Sequence, residues 1–148
     1  MFIRSVIPVL TLYLLMPACH TVKTGRQSLQ TIPSQLLGRF QDDYGSSYSI
    51  THKQWVQNNT YKYHLIHYNK NENYFIARND TANPADGGLY TRIDIAFFNN
   101  MEPWQWGYCL AAYKAGSEQE ALQTPPADRQ NPRKGCNGYP FSRMKRTQ

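Results

Sequence analysis

Thr60–Asn79 reads TYKYHLIHYNKNENYFIARN. Thr60 to Tyr68 is a run of strand-favouring residues. Asn69-Lys70-Asn71-Glu72-Asn73 breaks it with turn residues, and Tyr74 to Asn79 resumes it. Two strands and a turn are the simplest expectation. Upstream, Tyr48 to Gln57 (YSITHKQWVQ) is a further strand, joined to the next through an Asn58-Asn59 turn as a hairpin. Downstream, Asp80 to Gly88 is a loop dense in turn residues. Leu89 to Phe98 is the fourth strand, Asn99 to Pro103 a turn, and Trp104 to Tyr113 the fifth strand. Ser117 and Glu120 have capping-box spacing, so a short helix should begin there and stop before Pro125-Pro126. From Ala127 the chain reads as irregular, and Arg143 to Gln148 as frayed.

Composition agrees with this reading. Of 148 residues 14% are aromatic, eleven of them tyrosine, which suits strands and half-wet surfaces. With 41% hydrophobic and only 18% charged residues, the composition is not that of a disordered chain. The expected fold is mainly β: a small antiparallel barrel or sandwich of about five to seven strands with one short C-terminal helix. The length allows one domain, or one domain plus a leader.

The leader is residues 1–18. Arg4 gives a positive start, and Val6 to Ala18 is an uncharged, mostly apolar run too short to span a bilayer. Pro8 and Pro17 argue against a buried helix. Met16-Pro17-Ala18-Cys19 resembles the lipobox of bacterial lipoprotein precursors, although Pro17 stands where a small residue is commoner. The resemblance implies a new N-terminus at Cys19, carrying acyl chains, and His20 in the next position points to the outer membrane. Ordinary cleavage, giving a secreted or periplasmic protein, is the alternative. Residues 19–33 read as a flexible tether and 34–148 as the domain, with its start near Ile32 or Leu36. Lipidation of Cys19 would leave Cys109 and Cys136 to pair in an oxidising compartment.

Two weaker resemblances concern the domain itself. Leu37 to Gly45, followed by Ile50 and Trp55, resembles the opening of small lipocalin-like barrels. A wider layout is similar to a group of uncharacterised bacterial envelope proteins. It runs through Trp55, Asn83-Pro84, Arg92-x-Asp94, Trp106-x-x-Cys109 and Gly135-Cys136-x-Gly138-x-Pro140-Phe141. That group implies a compartment and no reaction.

Strand alternation places Leu89, Thr91, Ile93, Ile95 and Phe97 on a core face, with Arg92 and Asp94 as neighbours on the other. The pair reads either as the polar lining of a ligand pocket or as a structural ion pair. Trp104, Trp106 and Tyr108 share a face of the fifth strand, as an aromatic ligand platform or as barrel core. These five residues form the expected ligand-binding set.

No catalytic or metal set emerges, and no cofactor is implied. His64 and His67, three apart in a strand, point to opposite faces, while His52 and His64 could meet across the hairpin. No GxSxG and no phosphate loop is present. The formal charge is +6, heaviest near the end at Arg129, Arg133, Lys134, Arg143, Lys145 and Arg146. In an exported protein this suits envelope lipid or glycan better than nucleic acid. The expected function is therefore a non-enzymatic envelope lipoprotein with a ligand-binding or structural role. Its partners would be the membrane, through the anchor, and an envelope glycan, lipid or protein. A secreted hydrolase of glycan or nucleic acid, or an exported effector, is the alternative.

Overall fold

A computed structural model describes residues 31–148, so the expected signal peptide, most of the expected tether and Cys19 lie outside the described residues. The five to seven expected strands are eight. They are β1 (Gly38–Asp42), β2 (Ser47–Ile50), β3 (Gln54–Gln57), β4 (Tyr61–Asn69), β5 (Tyr74–Asn79), β6 (Tyr90–Phe97), β7 (Trp106–Ala115) and β8 (Ser142–Arg146). Each pairs antiparallel with its neighbour in sequence order, and β8 pairs with β1 to close a barrel. The helix α1 (Glu118–Gln123) precedes β8 and so is not the last element.

Two features account for the difference in count. First, the run from Tyr48 to Gln57 is two strands. The Thr51 hydroxyl accepts the N–H groups of Lys53 (3.3 Å) and Gln54 (3.0 Å), and the Thr51 N–H donates to the Gln54 carbonyl (2.8 Å). A threonine that satisfies backbone donors two and three residues ahead favours a turn over a strand. Second, two segments outside the five strands read from the sequence close the barrel: Gly38–Asp42 is β1, and Ser142–Arg146, which reads as irregular or frayed, is β8. Their pairing (Phe40 opposite Arg146, Asp42 opposite Met144) covers two edges that would otherwise be open. Arg146 secures the seam. Its guanidinium donates to the Leu37 carbonyl (2.9 Å) and lies 4.8 Å from the centre of the Phe40 ring. It passes so close to Gly38, at φ 126°, that a side chain there would collide with it.

The expected hairpin is present as β3–β4. Asn58 and Asn59 both adopt left-handed backbone (φ 52° and 53°), which Asn tolerates better than most residues. Side chains fill the barrel. The Trp55 ring meets those of Tyr48, Phe75, Trp106 and Tyr108 edge-on at 5.1–6.2 Å between centroids. Ile32, expected at the end of the tether, is buried in the same core.

A second layer covers the outside of β5–β7. Ala121 of α1 packs in a cluster with Tyr74, Ile76 and Ala115. The segment after α1 adds Phe141 over Ala96 and Cys109. The capping box is present in modified form: Ser117 Oγ accepts from Glu120 N–H (3.1 Å), while the Glu120 carboxylate accepts from Gly116 N–H (2.8 Å). A Cys109–Cys136 disulfide, Cα–Cα 5.4 Å, ties the loop to β7. Because of this cover β6 is buried on both faces from Thr91 to Ala96, and its outer face meets protein rather than solvent.

Candidate functional site

Arg92 and Asp94 lie under that second layer, 3% and 0% exposed. Asp94 is the hub. It accepts from Arg92 Nε (3.3 Å to either oxygen) and a terminal Arg92 nitrogen (3.2 Å). It also accepts from Arg129 (2.8 Å) and the Ala127 N–H (2.9 Å). Arg92 lies 3.9 Å above the Tyr74 ring and donates to the Leu122 carbonyl of α1. Arg129 reaches the carbonyls of Ile95 and Asn73. One carboxylate thus joins β6 to α1 and to the loop behind it. The pair is neither on a solvent face nor at an open mouth.

Trp106 and Tyr108 point into the barrel, 1% and 7% exposed. Tyr108 shares a hydrogen bond of 2.8 Å with the Tyr48 hydroxyl, which donates to Asp42 (2.6 Å). Burial, with Tyr108 and Asp42 beside it, raises the Tyr48 pKa far above the ordinary tyrosine value. Burial likewise raises Tyr108, and pushes Tyr63 up to about 12. These hydroxyls stay protonated at any physiological pH. Trp104 separates from this face. It is half-buried on the outside, with Arg143 and Lys145 each 5.3 Å from its ring.

The histidines do not converge. His52 sits in the β2–β3 turn, and His64 is opposite Gln54 in the register, not opposite His52. The β3–β4 register sets that mismatch, and the Thr51–Gln54 turn takes His52 out of the strand as well. His64 Nε2 bonds Asp80 (2.8 Å), whose pKa is lowered by the Ala82 N–H and then by His64. His67 is 5% exposed, and neither ring nitrogen has a partner; burial lowers its pKa. Among the described residues no three His, Cys, Asp or Glu side chains group to hold a metal ion.

Open surface lies elsewhere. A groove of about 520 Å³ is formed where the β1–β2 turn, the β6–β7 turn and the loop before β8 meet. Phe98, Met101 and Phe141 give it an apolar lining, with Tyr44 and Pro140 beside them and Arg133 and Arg143 also present. Asp43 lines it too, but accepts from both the backbone N–H (3.0 Å) and Nε (2.7 Å) of Arg143. Tyr44 and Pro140 are shared with a second groove, of about 590 Å³, along the disulfide and Tyr139. Neither groove is lined by Arg92, Asp94, Trp104 or Trp106; Tyr108 lines the second.

No family model, curated protein or solved structure matches this chain. The site therefore rests on geometry alone. Tyr44 and Tyr139 are 68% and 73% exposed, the two most exposed large hydrophobic residues among those described. Sequence reading passed over them because turns carry no periodicity. Their signal was the setting: Tyr44 precedes Gly45, and Tyr139 stands between Gly138 and Pro140. A bulky aromatic at a turn tip has no core to enter.

Proposed function

We propose that this chain is an exported envelope lipoprotein, anchored through an acylated Cys19, whose barrel is a binding or structural module rather than an enzyme. One observation carries the reading: Cys109 and Cys136 are joined to each other, which leaves Cys19 as the one cysteine outside the pair. A disulfide of this kind belongs in an oxidising compartment. The lipobox-like Met16-Pro17-Ala18-Cys19 then gives the third cysteine its role, and His20 favours the outer membrane.

The filled lumen directs binding to the outside of the barrel, where aromatic and basic side chains line the grooves. Asp94, the carboxylate of the alternative hydrolase, is spent on two arginines and a backbone N–H. Expression of the Cys19→Ser chain in a bacterial host, followed by fractionation, tests the anchor. The unchanged chain should sediment with membranes and the variant should be soluble. Retention of the variant in membranes would overturn the reading.

A further inference from the structure

We infer that the groove between the β1–β2 turn, the β6–β7 turn and the loop before β8 binds a single-chain anionic phospholipid. Its acyl chain would lie on Phe98 and Met101, over a floor backed by the buried Phe141, and its phosphate would meet Arg133. The inference rests on the envelope reading above and adds the ligand class.

The apolar part is built. Phe141 is 1% exposed and anchored beside Ala96 and Cys109, so the floor is fixed by the disulfide-bearing layer. Met101, 38% exposed, is unbranched and flexible, a side chain that adapts to an alkyl chain. Tyr44 stands at the margin with a ring for the chain and a hydroxyl for water or a headgroup.

Charge complementarity chooses the occupant. Two arginines and one carboxylate line the groove. Arg143 and Asp43 satisfy each other through two hydrogen bonds. Arg133 is exposed and makes no ion pair among the described residues, so the groove has one uncompensated cation beside an apolar surface. Lys134 follows it in sequence. An apolar chain with one anionic head matches that arrangement. A neutral glycan leaves Arg133 unanswered, and a nucleic acid strand calls for a line of cations along its phosphates.

The test uses the full chain carrying Cys19→Ser, titrated calorimetrically with lysophosphatidylglycerol or zwitterionic lysophosphatidylcholine, each below its micelle-forming concentration. The anionic lipid should bind one to one, about tenfold more tightly than the zwitterionic one, as a charge-assisted contact predicts. Arg133→Gln should remove that difference, and Met101→Asp should weaken both lipids. Circular dichroism confirms that both variants, changed at exposed positions, are folded. Equal affinity for the two lipids, no binding by the folded chain, or an unchanged preference in Arg133→Gln would overturn the inference. The anchor is scored separately by fractionation, so failure here leaves it standing, and membrane retention of Cys19→Ser overturns it alone.

Discussion

Replacing Asp94 by Asn separates a structural from a catalytic role for the buried carboxylate. The substitution keeps the shape of the side chain and removes its charge. Two guanidiniums, Arg92 at 3% and Arg129 at 26% side-chain exposure, then lose the group that compensates them. One oxygen becomes an NH₂ facing donors from Arg92, Arg129 and Ala127. Removing one partner of a buried ion pair costs about 3–5 kcal/mol. Arg129 can turn partly to solvent, so the lower end, about 3 kcal/mol, applies here. At roughly 4 °C per kcal/mol for a domain of this size, Tm should fall by about 12 °C. Far-ultraviolet circular dichroism during heating measures it. Hydrogen exchange should show lost protection in α1 first, since Arg92 holds the Leu122 carbonyl. A change within about 0.5 kcal/mol, the range of ordinary surface substitutions, would refute the structural role.

Other perturbations probe the second layer and the lumen. The double variant Cys109→Ala/Cys136→Ala opens a loop of sequence separation 27. The chain-entropy relation gives a loss of about 3.5 kcal/mol, readable in urea denaturation; no loss would mean that the loop is held without the bond. His67 is buried neutral between Tyr74 and the layer bearing Glu118, and its pKa is lowered from 6.5 by burial, with Glu118 opposing. The unfolded chain therefore binds the proton more readily, so stability falls as pH drops below 6.5 toward the lowered folded value and then levels. His67→Phe should flatten that step in the urea midpoint between about pH 7.5 and about pH 5; an unchanged slope would refute the assignment. Tyr48→Phe strips Asp42 and Tyr108 of a buried partner. A loss of about 1–3 kcal/mol is expected, and an unaltered denaturation midpoint would contradict it.

The strands that were legible in sequence were those bounded by strong punctuation. Asn58-Asn59 and Asn69–Asn73 delimit β3, β4 and β5 because asparagine favours turns and left-handed backbone. The same reasoning could not divide Tyr48–Gln57, where the break depends on one threonine hydroxyl reaching backbone donors. Nor could it recover β1 and β8, whose pairing joins Asp42 to Met144 across nearly the whole domain. Alternation correctly sent Trp106 and Tyr108 to one face and Cys109 to the other. It also set Arg92 and Asp94 together on the outer face, where they pair, but alternation distinguishes the faces of a strand and is silent on what covers them. A polar residue outside the barrel reads as solvated until α1 and the following loop are known to lie over it. Cys109 and Cys136 carried the best information about that cover, since a bond between them requires the loop to return to β7.

The anchor is tested most directly by the intact mass of the protein extracted from bacterial membranes. The predicted polypeptide begins at Cys19, carries the added mass of a diacylglyceryl group and an amide-linked acyl chain, and contains no free thiol. A chain that begins elsewhere, or that begins at an unmodified Cys19, would contradict the lipoprotein reading.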